Sequence, residues 1–309
     1  MTNTTSTLLK IWLVSVLVFC GSNLLAQQVS DLAYDPIIKN PIYKAGTGPI
    51  IFIDEGHHNF HTKSGRYAPF AKVIEKDGYQ VKSYKGEFTE KKLNEVKILV
   101  IVNALNEVNL GNWILPTPSA FTKEEIEIVG KWVAKGGSLF LIADHMPFSG
   151  ANEDLAAAFG FTFFNGFNIN TVNPAYFWRS NGTIAENEIS LGRNASETVH
   201  KIPNTEGQAF QIPGDAQAIL TFDKNSLILL PDTAWVFHSQ TPMRNIKGWA
   251  QGAFKKHEKG RVVVFGEASM FSAQIGQPGN RKMGMNNEDA PDNYKLLLNT
   301  IHWLDGILE

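Results

Sequence analysis

The residues of this chain that could do chemistry gather where its apolar runs end. The run Ile50 to Asp54 passes straight into Glu55, His57, His58, Asn59 and His61, which places two carboxylates beside three of the eight histidines. Lys97 to Asn103 closes on an amide, Ser138 to Ala143 leads to Asp144-His145, and Arg261 to Phe265 leads to Gly266-Glu267-Ala268-Ser269. Carboxylates and imidazoles are the side chains that give and take protons in hydrolysis. At the carboxyl ends of parallel strands they would share one crevice. We therefore expect Glu267 and Asp144 as a proton-transfer pair, or one of them as a nucleophile as in glycoside cleavage. His145 joins them as the third catalytic candidate. Asp54, Glu55, His57, His58, Asn59, His61, Asn103, Ser269, Gln274 and Asn286 are the expected substrate contacts.

Each of these has an ordinary reading as well. Asp54 and Asp144 could simply accept bonds from loop amides, and His145 could be a satisfied core histidine. The interval of four from His57 to His61 would put both rings on one face of a helix. No third ligand at a recognised spacing accompanies them, so no metal or other cofactor is expected, and a divalent metal on His57 and His61 stands as the alternative. The run Tyr176-Phe177-Trp178-Arg179 reads either as packing or as a stacking platform for a ring.

The elements that must position these groups alternate. Phe70, Val73 and Ile74 recur at helical spacing within Tyr67 to Lys76, and Tyr79 to Tyr84 reads as a short strand. Thr122 and Glu125 form a capping box ahead of a helix to Lys135, and a last helix runs from about Asp292 to Leu304. The continuous apolar runs at 97–103, 138–143 and 261–265 have the character of strands buried on both faces. From about 161 to 260 the helical period fades, and short alternating runs flank Asp223-Lys224-Asn225, which suggests an antiparallel insertion.

Lys10, the apolar run Ile11 to Cys20 and the small residues to Ala26 read as a signal peptide, residues 1–26, with a retained anchor as the alternative. The mature chain would be periplasmic or secreted, with 27–48 as an extended lead-in and 49–309 as one domain. Cys20 is the only cysteine, so after cleavage no disulfide or thiolate chemistry remains. With 28 basic and 30 acidic residues, no footprint for nucleic acid or an anionic membrane exists, and a small-molecule or glycan ligand is expected.

The segments GRYAPF (65–70), GGSLFLIADHMPFSGA (136–151), GRVVVFGEASMFSAQ (260–274), MGMN (283–286) and NYKLLLNTIHWL (293–304) resemble those of secreted, largely uncharacterised bacterial proteins of the class I glutamine amidotransferase-like superfamily. The resemblance spans nearly all of the mature chain. It implies an α/β, flavodoxin-like three-layer sandwich with a mostly parallel sheet, and no particular substrate. Catalytic amidotransferases carry a nucleophilic Cys in an elbow after one strand and a His-x-Glu pair after a later one. Here the comparable strands lead to Asp144-His145 and to Gly266-Glu267-Ala268-Ser269, so glutamine hydrolysis by that route is excluded. The expectation is an exported hydrolase acting on a carbohydrate or related small molecule, the alternative being a binding or scaffold domain without catalysis.

Overall fold

The computed structural model describes residues 28–173 and 175–309; the expected signal peptide lies outside them. Its centre is a seven-stranded sheet built from β1 (Ile50–Asp54), β2 (Gln80–Tyr84), β3 (Ile98–Val102), β4 (Ser138–Ile142), β5 (Gln217–Thr221), β6 (Ala250–His257) and β7 (Gly260–Phe265), in the order β2-β1-β3-β4-β7-β6-β5. The five strands from β2 to β7 are parallel, and β6 and β5 extend the sheet antiparallel. The fold is therefore mixed α/β around a mostly parallel sheet.

The continuous apolar runs follow from burial on both faces. Ile98, Val100 and Val102 of β3 point into one core with helices α1 (Ala68–Lys76) and α3 (Asn293–Asp305), while Leu99 and Ile101 point into a second core with α2 (Lys123–Ala134). Phe140 and Ile142 alternate with Leu139 and Leu141 of β4 in the same way. Successive side chains of a strand leave opposite faces, so only an unbroken apolar run fills both.

The capping box of α2 is present. Thr122 Oγ1 accepts from the Glu125 N–H at 3.2 Å, and Glu125 Oε2 accepts from the Thr122 N–H at 3.0 Å. Thr122→Ala should cost about 0.5–2 kcal/mol in a urea melt.

Between β4 and β6 the chain departs from the simple reading. The runs around Asp223-Lys224-Asn225 form strands that do not pair with each other. Gln217–Thr221 joins β6 in the large sheet, whereas Ser226–Leu229 pairs with Phe167–Asn170 and Met243–Asn245 in a separate one. Asp223 explains the break, since its carboxylate accepts the Asn225 N–H and side chain and so turns the strand out of line. The lead-in is also ordered by pairing: Gln28–Ser30 lies antiparallel to Ala273–Gly276. Among the described residues no helix is long and apolar enough to cross a membrane.

Candidate functional site

The order β2-β1-β3 creates a switch point. The chain moves outward from β1 to β2 and returns on the other side with β3, so the connections after β1 and β3 leave in opposite directions, the place where open α/β sheets bind ligands. Asn103, the residue after β3, adopts a φ of +48°, a left-handed turn that Asn tolerates better than most residues. Its amide faces Asp144, at the end of β4. Asn103 Nδ2 donates to Asp144 Oδ2 at 2.8 Å, and Asn103 Oδ1 accepts the Asp144 N–H at 2.8 Å. That double bond pattern fixes which way the amide points. Asn103 Nδ2 also lies 3.3 Å from His61 Nδ1, which makes that nitrogen an acceptor.

The other Asp144 oxygen accepts the Ala268 N–H at 2.7 Å, and the next amide, Ser269 N–H, donates to Glu267 Oε1 at 2.7 Å. Consecutive amides thus anchor the two carboxyl groups, which by bond lengths alone holds those oxygens within about 10 Å of each other. Tyr67 closes the far side by donating from its hydroxyl to Ala268 O at 2.9 Å. Glu267 Oε2 is buried with no hydrogen-bond partner. The backbone above it is Gly207, where an added Cβ would stand 3.0 Å from Glu267 Oε2 and 3.1 Å from Gln251 Nε2. Both polar atoms of Gln251 and the Oε1 of Gln208 are also buried without partners.

These environments separate the two carboxyl groups. Burial pushes Glu267 well above the usual carboxylate range, the Asp144 charge pushes it further, and Ser269 and Thr205 pull back only in part. Burial also raises Asp144, and the hydrogen bonds from Asn103 and the Ala268 N–H oppose that rise only in part. Both carboxyl groups are raised, Glu267 the more strongly, so Glu267 is the one of the pair favoured to hold the proton. Two carboxyl groups of unequal proton affinity are the pairing that proton-transfer catalysis uses.

His145 sits at the edge of this pair. Its Nδ1 donates to Met146 O at 2.7 Å, which leaves Nε2 as the acceptor of the neutral ring. The ring stacks on Phe167 at 4.4 Å between centroids and meets Trp235 edge-on at 4.7 Å. Trp235 is 50% exposed and holds a φ of +66°, a strained conformation for a bulky side chain. Burial lowers the His145 pKa more than the Asp144 charge raises it, so the ring is a neutral acceptor. His61 is neutral for the same reason, pushed down to about 3 by burial and by Arg66. Long-range nitrogen–proton NMR spectra of His61 should show an unchanged neutral tautomer from about pH 5 to pH 8.

The structure brings together Asp144, Glu267, His145, His61, Asn103 and Ser269. The rest of the β1 loop has other work. Asp54 accepts from the Gly56 N–H, from Asn59 Nδ2 and from His57 Nδ1, while His57 Nε2 meets Glu125 Oε1 at 2.8 Å. Both His57 nitrogens are held by carboxylates, so it has no lone pair for a metal shared with His61. His57 is packed between Phe88 and Phe121, and with Asp54 and Asn59 it is framework for the loop. Glu55 accepts from the Lys63 N–H and Ser83 Oγ toward the β2 edge, and His58 is exposed. Gln274 and Asn286 belong to the small sheet around Gln28–Ser30: Asn286 Nδ2 donates to Asp31 Oδ2 and Gln274 O. Arg179 is spent on Val199 O and Ser190, Lys201 covers Tyr176 and Phe177 is buried, so packing accounts for the 176–179 run apart from the exposed Trp178.

Sequence reasoning missed Tyr67, Gln208, Gln251 and Glu125. Gln251 lies at a register shift in β6, between the Ala250 and Gly252 pairings. Such a bulge re-aims a side chain without any mark in the hydrophobic pattern. Glu125 was visible only as half of a capping box.

No protein-family model matches the chain, and no curated protein matches it. The solved structure of the mmIFT52 N-terminal domain is similar in fold, with a TM-score of 0.59 at 16% identity over 82% of this chain and 97% of that one. A ThuA-like protein from Bacteroides uniformis aligns at TM-score 0.45 and 12% identity, covering 87% of this chain and 94% of its own. The cytoplasmic protein STM1381 from Salmonella typhimurium aligns at 0.45 and 14%, covering 82% and 98%. The first likeness bears on architecture alone.

Proposed function

We propose that the chain is an exported hydrolase of the amidotransferase-like superfamily without its cysteine, which cleaves a carbohydrate or related small molecule by carboxyl acid/base chemistry. In this reading the layout is flavodoxin-like, the 161–260 stretch is an antiparallel insertion, and the residues to Ala26 direct export. The observation that carries the proposal is the Asp144–Glu267 pair, two buried carboxyl groups on consecutive amides with one oxygen, Glu267 Oε2, left without a partner. Glu267 gives its proton to the leaving group, and Asp144 draws a proton from water or attacks as nucleophile. Asn103 and the Ala268 N–H hold Asp144 in place, and His145 Nε2 accepts a substrate hydroxyl. The half-exposed indole of Trp235 offers a sugar ring an apolar face. Turnover on a panel of aryl glycosides and aryl esters tests this. Cleavage of at least one member is expected, and inertness toward the whole panel by folded protein would count against hydrolysis.

A second reading has its own observation. Glu267 is 1% exposed and Asp144 8%, a depth that also suits a binding domain without turnover. That reading predicts a ligand bound equally well by wild type and Glu267→Gln, and cleaved by neither.

A further inference from the structure

Away from the parallel strand ends, a cavity of about 270 Å³ lies against α3, between residues 37–40 and the turn at 193–197. Its deepest polar groups are His302 and Asn299, each 1% exposed and three residues apart on one helix face. Each keeps one polar atom without a partner, His302 Nδ1 and Asn299 Oδ1. Their orientations are fixed. Asn299 Nδ2 donates to Ile189 O at 2.9 Å and Glu197 O at 3.0 Å, so the amide cannot turn and its oxygen is the atom left over. His302 Nε2 donates to the Asp77 carboxylate at 2.6 Å, so in the neutral ring Nδ1 is the nitrogen with the lone pair.

Two neighbouring buried acceptors call for a hydrogen-bond donor. Asp77 stands behind His302 and favours a cationic donor over a neutral one at that end, whereas Glu197 in the wall is already paired with Arg193. The mouth has the opposite sign. Lys39 is exposed there, and Lys295 reaches it while paired with Asp292 at 2.8 Å. Within a mixed lining, Ile38 and Leu298 provide an apolar stretch of wall. The volume falls just below the roughly 300–1,000 Å³ of sites for drug-sized molecules.

We propose that this cavity binds a small apolar α-amino acid. The ammonium group meets Asn299 Oδ1 and His302 Nδ1, the carboxylate meets Lys39 and Lys295, and the hydrocarbon side chain lies against Ile38 and Leu298. The site is separate from the Asp144–Glu267 pair: Ser138 Oγ donates to Leu304 O at 2.6 Å, which sets the end of α3 beside the start of β4, whereas Asp144 follows its finish. The proposal therefore stands or falls without the hydrolase reading.

Isothermal titration of the full chain with leucine, valine and phenylalanine, one at a time, tests it. At least one should bind, and its decarboxylated and deaminated analogues (isoamylamine and isocaproate in the case of leucine) should each bind at least about tenfold more weakly. Asn299→Leu should abolish binding. Because that change could disturb α3, the pair Lys39→Ala, at an exposed residue, and Lys295→Ala, at a half-buried one, provides the second test, and it should weaken binding about tenfold with an unchanged circular dichroism spectrum. Absence of binding by all three amino acids, equal binding by the analogues, or full affinity in the lysine variant would overturn the proposal.

Discussion

Glu267→Gln should lower turnover by about 10²–10⁴-fold, the usual contribution of a positioned general acid, while leaving the fold intact. The amide matches the protonated acid in shape, so the bond from Ser269 N–H survives and only the transferable proton is lost. The same substitution should alter stability with pH. Glu267 is raised in the folded chain by burial and by Asp144, so between about pH 4.3, where an unfolded glutamate ionises, and its own higher pKa the unfolded state binds fewer protons. Stability contributed by this group is therefore full below the unfolded value and declines by about 1.4 kcal/mol per pH unit above it. Glu267→Gln removes that decline, so the variant should gain on wild type in urea melts as pH rises from 5 to about 8. A variant that lost stability at pH 8 would show that Glu267 is ionised in the fold.

The largest expected loss of stability lies in the β1 loop. His57→Leu should destabilise the chain by about 3–5 kcal/mol, the cost of stripping the partner from a buried charge. Two carboxylates, Asp54 and Glu125, would lose their common cation under Phe88 and Phe121. Burial opposes the charge on His57, but the bonds to Asp54 and Glu125 outweigh it and raise its pKa. This contribution is full below about pH 6.5, the unfolded value, and is lost as pH rises through the higher folded value. Urea midpoints of wild type should accordingly fall at alkaline pH by more than those of His57→Leu, and parallel profiles would rule out a charged His57.

The parallel core and the gathering of polar groups at its carboxyl edge were legible because both rest on local pattern. Unbroken apolar runs such as Ile98–Val102 report burial on two faces, and a polar residue directly after each run must lie at the common edge once the strands are parallel. The Thr122–Glu125 box was equally readable, being confined to one turn of chain. What pattern could not supply was pairing between distant segments. Gln217–Thr221 and Ser226–Leu229 look like the arms of a hairpin, yet they join different sheets, since strand choice depends on partners that arrive only with β6 and with Phe167–Asn170. Partner choice also sorted the histidines. His57, His58 and His61 are neighbours in sequence, but Glu125, solvent and Asn103 decide that one is bound as a cation, one is exposed and one is neutral.

The central claim is that Glu267 is a protonated acid beside an ionised Asp144. Carbon-13 NMR of the side-chain carboxyl groups, followed from about pH 4 to pH 9 in wild type and Glu267→Gln, reads both states directly. One glutamate signal, absent from the variant, should still be protonated at neutral pH, and an Asp144 signal should ionise below it. A Glu267 signal already ionised near pH 4.5, an ordinary glutamate value, would contradict it.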